Sequence, residues 1–232
     1  MITLKMIAVL IGAYIVGGIP FSIPLVWLVT GKDIRKIGSG RIGGTNTGRA
    51  AGVLTGAVVT ILDFSKGLFA VWLGKQLFPG VIWLHALAGA AAIFGQIFSI
   101  FLWKKQENGR WRLHGGAGGA TTLGAVTGLF PPAVIFVGLT ALAVYIFVGY
   151  ASLTTISIAL NSLAIFIYRY VVGAAGWQPI IFGVLALILV IYALRPNLIR
   201  LRNGDERMVG LRLYFYNRRK KDTPDSLKRH WF

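Results

Sequence analysis

The 232-residue chain has no cysteine, only seven Asp and Glu, and three His. Without cysteine there is no disulfide framework, no thiolate nucleophile and no cysteine-based zinc or iron–sulfur site. The histidines and carboxylates are scattered, with no H-E-x-x-H or comparable ligand cluster, so no metal site is expected and no cofactor is implied. Charged residues make up 13% of the chain, against roughly 25% in a soluble domain. Together with 56% hydrophobic residues and a mean hydropathy of +0.70, this excludes a soluble monomer. The charge present is largely of one sign, with 24 Lys and Arg giving a net +17. That excess lies between and after long apolar blocks, which argues against nucleic acid as a partner and for a membrane surface.

About 20 apolar residues are needed to cross the hydrocarbon core. On that measure the chain predicts an all-α integral membrane protein with seven transmembrane helices, over 4–29, 52–74, 82–103, 117–131, 133–150, 152–172 and 178–194. The fourth is short and is expected to begin as irregular backbone. Pro131-Pro132 separates the fourth and fifth, and Gly173 to Pro179 marks the turn before the seventh. An odd number of spans puts the two ends on opposite sides. Segments 30–51, 104–116 and 195–232 hold 5, 4 and 11 basic residues, so 20 of 24 fall on one face. By the positive-inside rule that face is cytoplasmic, with the N-terminus outside and the C-terminus inside. Pro20 and Pro24 interrupt the first apolar stretch and no small-residue cleavage site follows it, so it reads as a retained helix. The expected organisation is a membrane domain over 1–194 followed by a basic cytoplasmic tail over 195–232, net +7 and attracted to anionic lipid.

The glycine-rich polar stretches all fall on the expected cytoplasmic face. Gly38-Ser39-Gly40-Arg41-Ile42-Gly43-Gly44-Thr45-Asn46-Thr47-Gly48-Arg49 has the make-up of an anion cradle. Its glycines let backbone N–H groups converge, and its arginines supply charged, potentially bidentate donors. The alternative is a flexible loop with lipid-facing arginines. Asp63 and Lys66 stand three apart inside an apolar span, hence on one helix face. Neither should face lipid, so they are expected to pair, either as a packing device or with Lys66 reaching a substrate phosphate. His114-Gly115-Gly116-Ala117-Gly118-Gly119-Ala120-Thr121-Thr122 opens the fourth span and offers a helix N-terminus for an anion, or small residues for close helix packing. Leu194 to Glu206, taken alone, reads as a membrane-exit helix capped by Asn203-Gly204. His85 reads as hydrogen-bonded or interfacial, and Trp27, Trp83, Trp103, Tyr150 and Trp177 as interfacial anchors.

These segments, in this order, resemble the acyl-phosphate-dependent glycerol-3-phosphate acyltransferases of bacterial membranes, the PlsY family, over about residues 10–207. The most specific element is Gly38-Ser39-Gly40 through Thr45-Asn46 to Arg49 and Gly52, similar to the family's G-S-G-N-I-G-A-T-N-x-x-R-x-x-G. Leu62-Asp63-x-x-Lys66-Gly67 follows at the family's distance. Gly17-Gly18-Ile19-Pro20-Phe21 resembles the first-helix G-S-I-P-F, and Asn197-x-x-Arg200-Leu201-x-Asn203-Gly204-x-Glu206 matches the third motif. The resemblance implies seven transmembrane helices in the inner membrane and an extracytoplasmic N-terminus. It also implies acyl transfer from acyl phosphate to the 1-hydroxyl of glycerol 3-phosphate, giving lysophosphatidic acid. Acyl phosphate is already activated, so no protein nucleophile is needed and the site can work by positioning and charge stabilisation.

On this resemblance Ser39, Asn46, Arg49, Lys66 and Asn197 form the catalytic set. Gly38, Gly40, Arg41, Gly43, Thr45, Asp63, His114, Gly115, Gly116, Gly118, Thr121 and Arg200 hold substrate and phosphate, with no metal. The sequence departs from the family pattern near the chemistry. Ala117 stands for the lysine of G-G-K-G, Gln96 and Ser99 for a histidine and a proline of the third span, and Leu194, Pro196 and Arg41 for a histidine, a glutamate and an asparagine. About eight extra residues precede the second glycine motif. Arg41 is placed to replace the missing cation, or to snorkel to headgroups. An organic-anion transporter or a non-catalytic lipid-binding paralogue are the competing readings.

Overall fold

The computed structural model describes residues 2–105 and 111–222, and it is helical apart from one hairpin. Helices α1 (Ile2–Gly18) and α2 (Ser22–Thr30) lead through a 3-10 turn to α3 (Gly44–Ala51), α4 (Val53–Leu77) and α5 (Ile82–Ile97). Strands β1 (Ser99–Lys105) and β2 (Trp111–His114) follow, then α6 (Gly119–Leu129) and α7 (Ala133–Ala143), which runs on into a π-helical turn over Val144–Val148. Helices α8 (Ala151–Val171), α9 (Gln178–Arg202) and α10 (Gly210–Asp222) complete the described residues. Four stretches are long and apolar enough to cross a membrane: Ile2–Thr30, Val53–Leu77, Ala151–Val171 and Gln178–Arg202. Ile82–Ile97 and Ala133–Val148 are shorter and equally apolar.

The helices meet through glycine, because in lipid the drive to associate comes from close packing rather than from water. A Cβ on Gly17 would collide with the Ala92 carbonyl, and one on Gly95 with that of Tyr14, so α1 and α5 touch backbone to backbone. Gly67 against Thr121 and Gly124 against Phe64 do the same for α4 and α6. The main core gathers Val71, Ile93, Val126, Phe166 and Phe182, all at most 2% exposed. Outward faces remain apolar, with Leu4, Leu54, Phe136, Leu139 and Ile188 exposed, as a lipid-facing surface requires.

Three elements differ from the sequence expectation. The first apolar stretch breaks at Ile19–Phe21, where Pro20 brings no N–H and interrupts the helical ladder. The third ends at Ile97, and residues 99–105 form β1 instead of continuing to 103. There Ile100, Phe101 and Trp103 are exposed while Leu102 is buried, a one-sided pattern that a strand accommodates. The strands pair antiparallel, with Lys105 opposite Trp111, Trp103 opposite Leu113 and, beyond a bulge, Ser99 opposite His114. Of the extra residues before the second glycine motif, Trp111 and Arg112 lie on β2, and residues 106–110 lie outside the described residues. Finally, α9 continues through Pro196 to Arg202, past the expected end at 194. The short fourth helix, α6, does begin late, after a non-helical Gly115–Gly118.

Candidate active site

The first glycine loop is built around Asn46. From the start of α3, its Oδ1 accepts the Ser39 N–H (3.1 Å), and its Nδ2 donates to the Ile37 (3.0 Å) and Arg41 (3.0 Å) carbonyls. Gly38 and Gly40 turn the chain there at φ +58° and +69°, and a Cβ on Gly38 would strike Asn46 Oδ1. Asn46 is 3% exposed and its amide bonds three backbone groups of its own loop, so it shapes that loop. Ser39 is half-buried, and its Oγ accepts a long bond (3.4 Å) from the Arg41 N–H. Thr45 and Gly43 are also half-buried on this loop.

Arg41 leaves the loop to meet α9. Its Nη2 donates to the Ala193 carbonyl at 2.5 Å, one residue beyond the carbonyl that Pro196 leaves without an intrahelical donor. Burial, reinforced by nearby Arg200, draws the Arg41 guanidinium down to about 10, partly countered by Glu206. Arg49, in the last turn of α3, donates to the Met208 carbonyl (3.4 Å). It is lowered by burial and by Arg207, and raised by Tyr145 and Glu206.

From α9, Asn197 Nδ2 donates to Glu206 Oε1 (2.7 Å), and Arg200 Nε pairs with Glu206 Oε2 (3.5 Å). Glu206 is 6% exposed, so its carboxylate is held by these partners. Asn197 Oδ1 is buried and accepts no bond among the described residues. The segment carrying Glu206 is pinned by the Val209 N–H to Gly149 carbonyl bond (2.9 Å) and by a bridge between Tyr150 and Met208. Arg41, Arg49, Arg200 and Asn197 thus surround Glu206 where the first loop meets the end of α9.

Lys66 and Asp63 form a buried ion pair. Lys66 Nζ, 2.6 Å from Asp63 Oδ1, also donates to Gln96 Oε1 (2.5 Å), to the Ile19 carbonyl (2.8 Å) and, longer, to that of Gly17 (3.3 Å). With three N–H groups facing these four acceptors, Lys66 is engaged within the protein, as the packing alternative of the two sequence readings requires. The carbonyls it holds are those freed by the α1–α2 break, and Ser99 Oγ donates to the one between them, Gly18 (2.6 Å).

The second glycine loop is close packing first. A Cβ on Gly115 would strike the Gln96 and Ile97 carbonyls, and the Gly116 N–H is spent on the Gln96 carbonyl (2.8 Å). The backbone of α5 thus lies directly against both glycines. Gly118, at φ +84°, starts α6, and Thr121 keeps a buried hydroxyl with no bond among the described residues. His114 is exposed at the end of β2. Ala117 packs on the apolar cluster of Ala159, Val190 and Leu194, so two of the departures from the family pattern share one apolar patch.

Sequence reasoning did not place Glu206 and Gln96 among the site residues. Glu206 was legible as the acidic end of the third motif, and Gln96 as a lone amide inside an apolar run. The Ala193 and Met208 carbonyls carry no sequence signal.

An apolar helical protein with lipid-facing outer surfaces, in which arginines gather around the buried carboxylate of Glu206, has the make-up of an integral membrane protein. Residues 7–204 match the glycerol-3-phosphate acyltransferase family, and the chain belongs to that family. It is 38% identical over 203 residues to glycerol-3-phosphate acyltransferase 2 of Moorella thermoacetica, covering 88% of this chain and 97% of that protein. The crystal structure of PlsY, an integral membrane glycerol 3-phosphate acyltransferase, in its glycerol 3-phosphate form, is similar with a TM-score of 0.75 at 30% identity, covering 91% of this chain and 99% of PlsY. The lysophosphatidic acid form gives 0.72 at 29% identity, covering 89% and 96%.

Proposed function

We propose that this chain transfers a fatty acyl group from acyl phosphate to the 1-hydroxyl of glycerol 3-phosphate, at the cytoplasmic face of a bacterial inner membrane. The observation that carries the reading is the cluster in which Arg41, Arg49, Arg200 and Asn197 surround Glu206, the buried Asn197 Oδ1 having no donor among the described residues. A phosphate monoester carrying hydroxyls supplies what the cluster lacks, an anion for the guanidiniums and an O–H for that oxygen. Glu206 holds Asn197 and Arg200 in place. Ser39 and Thr45 add neutral donors from the first loop, and Thr121 adds a hydroxyl from α6.

In the reaction the glycerol 1-oxygen forms a bond to the acyl carbon as the bond from that carbon to the phosphate oxygen breaks. The hydroxyl proton ends on the released phosphate. The protein's part is to align two anionic substrates and to offset their repulsion, for which effective molarities of about 10⁵ M or more are available from orientation alone. Seven crossings are counted as α1 with α2, α4, α5, α6, α7 with its π turn, α8 and α9. The short α6 is completed by the protein-lined Gly115–Gly118 segment, where irregular backbone is tolerated. The basic loops then lie inside and the N-terminus outside.

Purified protein offered labelled glycerol 3-phosphate with either acyl phosphate or an acyl thioester tests the donor. Product from acyl phosphate alone is expected. Product from the thioester alone overturns the donor assignment.

A further inference from the structure

The two glycine-rich loops touch at one side chain, Gln96 at the end of α5. Its Oε1 accepts from Lys66 Nζ (2.5 Å) and its Nε2 donates to Asp63 Oδ2 (3.0 Å), so one amide satisfies both members of the buried ion pair. The same Nε2 lies 3.5 Å from the Ile42 carbonyl of the first loop. Its backbone carbonyl accepts the Gly116 N–H of the second loop at 2.8 Å. Gly116 sits in the remaining gap, where an added Cβ would stand 2.7 Å from Gln96 Nε2 and 2.8 Å from the Ile42 carbonyl. Gln96 is 2% exposed, so no water takes over these bonds if they are lost.

We infer that Gln96 is a positioning residue that sets the separation of the first and second glycine loops, using the Asp63–Lys66 pair as a fixed reference. The inference rests on the reading that the first loop carries substrate-binding groups. Three features make the amide specific to this task. It presents a donor and an acceptor at once, in the orientation the neighbouring charges dictate. It is neutral, so it adds no charge to a site 2–5% exposed. Its length spans from α5 to α4, which the shorter asparagine does not. The charged groups facing it are Asp63 and Lys66 on α4. From the α1–α2 break it meets no titratable side chain, only the Gly17 and Ile19 carbonyls that share Lys66 and the Phe21 ring beneath the ammonium. From the loops it meets the Ile42 carbonyl and the Gly116 amide. Arg41, next to Ile42, points away to Ala193. Tyr14 on α1 is occupied with the Phe98 carbonyl (2.8 Å), and His114 is exposed two residues from Gly116.

The chemistry predicts opposite pH responses from two substitutions. In Gln96→Glu the protonated carboxyl reproduces the donor and acceptor, whereas the ionised form loses the donor and faces Asp63 with like charge. In Gln96→His the neutral ring reproduces them, whereas the imidazolium presents only donors, one toward the Lys66 ammonium. Gln96→Met keeps the bulk and loses both bonds at every pH. Two readouts are taken on the full chain in lipid. One is acyl transfer. The other is the distance between spin labels at Lys36→Cys and Leu113→Cys, outside the binding groups and possible in a chain without cysteine.

Relative to the parent, Gln96→Glu is expected to lose transfer and widen the label distance distribution as pH rises, and Gln96→His to do so as pH falls. Gln96→Met is expected to lose about tenfold or more at all pH, the effect of a broken charge-assisted bond. The distance readout is independent of the reaction, so normal distance responses with no transfer in the parent would indict the function and not the clasp. Glu and His variants that run parallel to the parent in pH, or a Met variant within twofold of it with an unchanged distance, overturn the inference. If all three variants fail to fold, Gln96 serves folding alone and the positioning role is likewise overturned.

Discussion

Arg41 and Ala193 are 152 positions apart, yet the guanidinium of one rests on the carbonyl of the other. This contact joins the first glycine loop to the last membrane helix beside Leu194, on whose apolar cluster Ala117 also packs. A cation is thereby delivered next to the patch where the family pattern has a lysine and a histidine.

Arg41→Asn is therefore expected to lower transfer by roughly ten- to a hundredfold, the equivalent of about 1.5–3 kcal/mol for a charge-assisted contact. Adding Ala117→Lys to that variant should restore a substantial part, since both positions border the same end of α9. A silent Arg41→Asn, or a double variant no better than the single, would remove Arg41 as the compensating cation.

The depressed Arg41 titration gives a second test with a definite sign. Burial disfavours the cation, so the folded group is drawn down to about 10, well below the ordinary guanidinium range. Between these values the unfolded chain binds the extra proton, so this group alone makes stability rise with pH there. A bound anion favours the cation and opposes the shift. Glycerol 3-phosphate should therefore raise the melting temperature at pH 7 and lose that effect as pH rises through about 10, and Arg41→Asn should reduce the stabilisation at pH 7. An increase that is the same in both proteins counts against anion contact at Arg41.

Arg49→Ala should cost far more transfer than Arg218→Ala. Arg49 reaches the Met208 carbonyl and faces Glu206, whereas Arg218 is an exposed side chain on α10, where a charge contributes little. Steady-state kinetics on both variants decides this, and equal small losses would contradict the cluster assignment.

The Asp63–Lys66 pair should behave as architecture. Lys66→Ala is expected to lower thermal stability by about 3–5 kcal/mol, because it strands a buried carboxylate. Replacing both, as Asp63→Leu with Lys66→Met, should recover much of that stability. A Lys66→Ala protein of full stability with only a raised KM for glycerol 3-phosphate would return Lys66 to the substrate.

Single-cysteine labelling checks orientation without background in this cysteine-free chain. Ser39→Cys and Arg218→Cys should resist an impermeant reagent applied to intact cells. Labelling of both from outside would invert the topology and move the site to the opposite face.

The long apolar helices are legible because apolar length is read directly from the sequence, and so is the break that proline imposes at 131–132. Pro20 reads in the sequence as an interruption, and in the structure it is a full break between α1 and α2. The β1–β2 hairpin was missed because Ile100 to Trp103 extends an apolar helical run, and only the burial of Leu102 distinguishes a strand. In the site, Asp63 and Lys66 were legible as a pair from their spacing, and Asn197 and Arg200 from a motif. Roles were harder. Composition shows that Asn46 and Gly116 lie in polar loops, but whether an amide is spent on its own loop or offered to a ligand depends on long-range carbonyls such as Ile37 and Gln96. Partners of that kind carry no side-chain signature.

The central claim is that the arginine–Asn197 cluster binds glycerol 3-phosphate for acyl transfer. Its most direct test follows phosphate release and lipid product together, in vesicles containing the purified protein and acyl phosphate. The account predicts one lysophosphatidic acid formed for each phosphate released, only when glycerol 3-phosphate is present. Phosphate release that ignores glycerol 3-phosphate, or movement of glycerol 3-phosphate across the bilayer without product, would contradict it.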